Sequence, residues 1–127
     1  MALIQQNLEK LDQLAFHPVA ARTATGEATG LDLRQYDGDV VLLLDSAAGG
    51  GTTPTLDVTV EHSDSLSADY TAISGAAFEQ VVDAASRQKL VIDADSAKRY
   101  VRVKYTLAGT NPTFTFSVAG VGVKKYG

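Results

Sequence analysis

The chain has no cysteine and no tryptophan, and only one methionine, two histidines and three prolines in 127 residues. Without cysteine there is neither a disulfide framework nor a thiolate metal site, so the fold must close by burial alone. A single domain of this length can do that, since it buries roughly two-thirds of the surface its unfolded chain exposes. Five tyrosines and four phenylalanines are fewer than sugar platforms or single-strand stacking surfaces use. Long apolar runs are missing as well. The opening "MALIQQNLEKLDQLAF" has no basic leader, and Gln5, Gln6, Asn7, Glu9, Lys10 and Asp12 interrupt it. Neither a secretory signal nor a membrane span is expected, and the protein should be found where it is made or leave by another route.

The sequence is equally short of catalytic and ligand-binding patterns. "GGGTTPTLDV" (49–58) and "AGTNPTFTFSV" (108–118) repeat a glycine-threonine phrase, but neither carries the lysine of a phosphate-binding loop. After each proline, polar and apolar residues alternate, so both copies read as a turn feeding a strand. His62 stands beside Ser63 and Asp64, yet neighbours on a strand point to opposite faces and cannot form a triad by themselves. Instead His62 continues the inward series of Val58 and Val60 to the rim of the core, and His17, between Phe16 and Pro18, reads as a place where the chain turns. Asp93 and Asp95, or the acidic loop "EHSDSLSADY", could recruit calcium, but carboxylates and serines are what turns use. No enzyme activity, metal or cofactor is expected.

Charge is unevenly spread. Residues 1–86 carry three basic and thirteen acidic side chains, net −10, and residues 87–127 carry eight basic and two acidic, net +6, which sum to the chain's −4. Late strands lying beside early ones would pair these charges across a sheet, and that reading outweighs a nucleic-acid face.

Along the chain, Ile4, Leu8, Leu11 and Ala15 fall at helical spacing with Leu3 and Leu14 beside them, and "HP" at 17 and 18 would end the helix. So short a helix is marginal alone and must dock on something. Residues 1–18 are therefore read as an N-terminal helix or arm. Ile4, Leu8 and Leu11 are its candidate interface residues, set against a neighbouring subunit or against the end of its own domain. From residue 19 to 127 the punctuation is that of strands. An edge hairpin is expected around Gly26 and Gly30, and "DVVLLLD" (39–45) reads as a strand covered on both faces. Further strands are expected at 55–63, 70–73, 77–81, 89–93, 99–107 and 113–123, with Gly120 and Gly122 as bulges or points of close approach. The series predicts an all-β fold, an antiparallel jelly-roll-type β-sandwich of about eight strands.

The phrases "TLDVTVEHSDS", "YTAISGAAFEQV" and "KRYVRVKYTLAGTNPTFTFSVAGVGVKK", with "LAFHP" and "DLRQYDGDVVLLLDS", resemble a family of small virion proteins of tailed bacteriophages. The resemblance implies a β-sandwich that decorates or cements the outside of the capsid. It also implies the major capsid protein as partner, a homo-oligomer with a trimer favoured, and a place on the capsid surface after synthesis in the host cytoplasm. "VEHSDS" with "RYVRV" later in the chain is also similar to the discoidin-type galactose-binding sandwich, which would imply a carbohydrate-binding or host-attachment module; the tryptophans and disulfides often found there are missing here. Neither resemblance carries over any ligand residue.

Overall fold

The computed structural model describes residues 11–124, and among them every regular element is a β-strand. In chain order these are β1 (Leu11–Arg22), β2 (Gly26–Glu27), β3 (Leu31–Asp32), β4 (Tyr36–Ser46), β5 (Gly50–Ser63), β6 (Thr71–Ala77), β7 (Ser86–Asp93) and β8 (Tyr100–Lys124). All ladders between them are antiparallel. The expected all-β sandwich is what the chain forms.

β8 organises the molecule because its 25 residues serve two sheets. Its first part, from Tyr100 to Leu107, pairs with β5 on one side and with the short β2 and β3 on the other, and β6 extends this back sheet beyond β5. Its second part, from Phe114 to Lys124, lies between β4 and β1, and β7 extends this front sheet beyond β4. Between the two parts lies the repeated glycine-threonine phrase. Its two copies face each other, since Gly50, Thr52 and Thr55 pair with Thr113, Thr110 and Ala108. The ladder slips twice there, and Gly51, Thr53, Gly109 and Asn111 all have positive φ. A Cβ on Gly109 would strike the carbonyl oxygens of Thr52 and Thr53, and one on Gly51 would strike those of Thr110 and Asn111. The repeat is thus the bend at which the strands pass from one sheet to the other.

The core fills the space between the sheets. From the front come Phe16, Val40, Leu42, Leu44, Ile92, Phe114, Phe116 and Val118; from the back come Leu56, Val58, Val60, Val101, Val103 and Tyr105. Gly120 and Gly122 are points of close approach, as their pattern predicts, because a Cβ there would meet the rings of Phe16 and Tyr36.

Five expectations need correction. The edge hairpin expected around Gly26 and Gly30 is two short strands, β2 and β3, that each pair with β8, and of the strand expected at 77–81 only Ala77 lies in one, with Val81 making a single bridge to Leu56. The stretch from Leu11 to Phe16, read as the end of a helix, is strand: Leu11, Asp12, Gln13, Leu14 and Ala15 pair in turn with Val123, Gly122, Val121, Gly120 and Ala119. The ladder satisfies the backbone groups that a marginal helix would have satisfied, and it also brings Leu14 and Phe16 inward, so tertiary pairing wins over local spacing. His17 is not a turn. The register slips between Ala15 and His17, the consecutive residues Phe16 and His17 are both buried, and the imidazole stacks 4.2 Å from the Phe116 ring. Finally, β4 is covered on one face only, since Val40, Leu42 and Leu44 are buried while Leu43 is 42% exposed.

Candidate interaction surface

The alternation that buries one side of the front sheet leaves a definite set on the other. β4 turns Asp37, Asp39, Val41, Leu43 and Asp45 away from the core, and β7 turns out Arg87, Lys89, Val91 and Asp93. β8 adds Ser117, Ala119, Val121 and Val123, and β1 adds Leu11, Gln13 and Ala15. The registers place these in rows: Val91 beside Val41 beside Val121 beside Gln13, and Lys89 beside Leu43 beside Ala119 beside Ala15. The centre is therefore apolar, with Val91, Val41 and Val121 in one row and Leu43, Ala119 and Ala15 in the next, and Val91 48% and Leu11 44% exposed at its margins. Leu43, Ala15, Pro18, Ala119 and Val121 also line a shallow groove between β4 and β1. An exposed Leu or Val alone needs no explanation, but a contiguous apolar patch marks a contact surface.

The outer face of the back sheet is built differently. Arg102 donates from Nε to Glu61 at 2.9 Å, directly across the β5–β8 ladder, and its guanidinium lies 3.9 Å over the ring of Tyr70. Burial pushes the Tyr70 hydroxyl's pKa up, and the Arg102 charge opposes that shift. Gln80 donates to Asp57, and Arg99 grips Asp32 through Nε and an Nη; the hydrogen bond from Arg99 holds the Asp32 carboxyl below its ordinary range. The four ion pairs among the described residues all join a late base to an early acid: Arg87–Asp45, Arg99–Asp32, Arg102–Glu61 and Lys124–Asp12. Four of the late bases are thus paired with early acids within one chain.

The residues singled out for chemistry are used structurally. The Nδ1 of His62 accepts from the Lys98 N–H at 3.1 Å, at the rim of the core. Asp93 accepts from the Asp95 N–H and Asp95 from the Gly38 N–H, so both carboxylates tie a turn. His17 accepts from Arg22 Nε at 3.0 Å, and its buried Nδ1 has no hydrogen-bond partner. Burial first, then the Arg22 charge, holds the imidazole pKa below its ordinary value, although backbone carbonyls of Phe116 and His17 pull the other way. Tyr36 donates to Asp12, and burial together with this bond pushes its hydroxyl up to about 12. Among the described residues no three metal-ligating side chains come together.

Of the three expected interface residues, Ile4 and Leu8 lie outside the described residues. Leu11 sits outward on β1, opposite Val123, at the edge of the front face. The centre of that face escapes sequence reasoning. Its signal is the unbroken run "VVLLL", which reads as a strand with two covered sides; the chain supplies only one cover.

Fold and surface together define a small antiparallel β-sandwich with one polar outer face and one outer face whose centre is apolar and open to solvent. Among solved structures this chain is similar to the SPBc2 prophage-derived protein YomS, at 12% identity and a TM-score of 0.56, over 90% of this chain and 93% of that one. It is also similar to VP2 of infectious bursal disease virus in a subviral particle, at 10% identity and a TM-score of 0.51, over 90% of this chain and 33% of VP2. The T13 particle of the same virus gives 8% identity, a TM-score of 0.51 and 31% of that chain. At such identities the likeness is one of fold. No protein-family model matches the chain, and no curated protein matches it in sequence.

Proposed function

We propose that this chain is a structural protein of a bacteriophage virion, attached to the outside of the capsid and stabilising the shell. The observation that carries the reading is the apolar centre of the front sheet, Val41, Leu43, Val91, Val121 and Ala119, which a protein working alone would have no reason to leave open. The sequence resemblance to virion proteins supports it, as does the fold shared with a prophage-derived protein and with the protein of a viral particle. The mechanism is passive. Copies of the chain contact one another and the major capsid protein, and the shell cannot open without exposing the apolar area and breaking the hydrogen bonds buried between them. It needs no catalytic group, metal or cofactor.

The test is to mix purified protein with empty heads of the phage that encodes it and to sediment the mixture. Co-sedimentation that saturates at a fixed number of copies per head, with a higher melting temperature for the decorated heads, is the expected result. Protein left wholly in the supernatant would overturn the proposal.

A further inference from the structure

The front face carries charge as well as apolar area, and the charge is ordered along the strands. At one end lie Arg87 and Lys89 on β7 with Asp45 on β4, two positive groups and one negative, net +1. At the other lie Asp93 on β7 with Asp39 opposite it and Asp37 beyond, net −3. Between the two ends is the apolar band from Val91 to Val121. A face that is basic at one end, apolar in the middle and acidic at the other is complementary to itself when turned end for end.

We propose that the front sheet docks on the front sheet of a second copy of this chain, about a two-fold axis lying in the interface and running across the strands. That axis keeps each strand over its own counterpart and reverses its direction, so with Val91 over Val91 the Lys89 of one copy stands over Asp93 of the other, and the Val91–Val41–Val121 rows meet in the centre. An axis along the strands would instead set the acidic ends against each other, and like-charge contact is what specific interfaces avoid. An isologous pair is also the commonest way for two identical subunits to close. The inference rests on reading the front face as an interface, and not on the virion. It selects a pair over the trimer that the sequence resemblance implies.

The size of the face sets the expected strength. Four strands about 4.8 Å apart and seven residues rising about 3.3 Å each span a face of roughly 19 by 23 Å. Two such faces bury less than the roughly 1,200 Å² of a standard interface, so the pair is weak in dilute solution and fills as copies are concentrated.

Sedimentation equilibrium of the purified chain from about 5 to 500 µM tests this, since a weak pair has its midpoint in that range. A monomer–dimer equilibrium is expected, with Leu43→Asp and Lys89→Asp each weakening it at least about tenfold. Lys89→Asp combined with Asp93→Lys, which restores the complementarity with the ends exchanged, is expected to recover most of the loss. Leu43, Lys89 and Asp93 all lie on the outer face, and unchanged far-ultraviolet circular dichroism of each variant verifies folding. A monomer throughout, a trimer, a dimer indifferent to both single variants, or a charge exchange without rescue would each overturn the proposal. Binding to heads is read separately, so failure here leaves the virion reading standing, and failure there leaves the pair.

Discussion

On the back sheet β8 turns Arg102, Lys104 and Thr106 outward; past the bend at Gly109–Pro112 the same strand turns out Ser117, Ala119 and Val121. The partners differ in the same sense. β5 answers the first set with Asp57, Thr59 and Glu61, whereas β4 answers the second with Asp45, Leu43 and Val41. The inward residues of the two halves are alike, Val101, Val103 and Tyr105 against Phe114, Phe116 and Val118, all buried. A sandwich needs its inner faces apolar, but nothing in folding requires one outer face to be polar and the other not. The outward residues of the β5–β8 ladder are polar and partly ion-paired, whereas those of the β4–β8 ladder are largely apolar and open to solvent.

Within β4, inner and outer positions stand side by side: Leu42 is fully buried and its neighbour Leu43 is half exposed. Leu42→Ala is expected to destabilise the isolated protein by about 2–5 kcal/mol in urea unfolding. On the inner side of the front sheet, Gly120→Ala drives a methyl into the Phe16 ring and is expected to cost about 1–3 kcal/mol, measured the same way. On the back face, Arg102→Ala removes a largely buried ion pair and a contact with Tyr70, for an expected loss of about 1–2 kcal/mol. Equal stability of wild type and Arg102→Ala would mean that this ion pair adds nothing to the back face.

A smaller loss depends on pH. The folded state holds the His17 imidazole below its ordinary pKa of 6.5, so it binds that proton less readily than the unfolded chain does. Between the folded pKa and 6.5 the unfolded state carries more protons, and stability therefore falls as pH is lowered through this window; above it, His17 contributes no slope. Melting temperatures from about pH 8 down to pH 5 should show this decline, and His17→Phe, which keeps the stack on Phe116, should flatten it. The smallest effect expected is that of Leu43→Asn on the isolated monomer, within about 0.5 kcal/mol of wild type. A large loss from Leu43→Asn would show that the side chain serves its own fold and would break the contrast between the faces.

Much of the strand series is legible because alternation of period two, punctuated by Gly, Pro and Asn, survives in β5, β7 and β8, whereas β2 and β3 pair with β8 instead of forming a hairpin and the segment after Ala77 is no strand. The repeat at 49–58 and 108–118 is legible as turns, but not as a mutual pair, because the pairing joins segments about sixty residues apart in the chain. Leu11 to Phe16 misleads because Leu11, Leu14 and Ala15 satisfy helical spacing, and the ladder with β8, with the space at Gly120 that receives Phe16, decides for strand. The front face is hidden for a related reason. Val41 and Leu43 read as a second covered side, and among the described residues of this chain nothing packs over that side.

Hydroxyl-radical footprinting of the protein, dilute and then assembled on heads, tests the contrast most directly. Leu43, Val91 and Val121 are expected to be reactive in dilute protein and protected in the assembly, while Tyr70 and the outward residues of β5 keep their reactivity. Protection of the back face with Leu43 and Val91 still reactive would contradict the contrast.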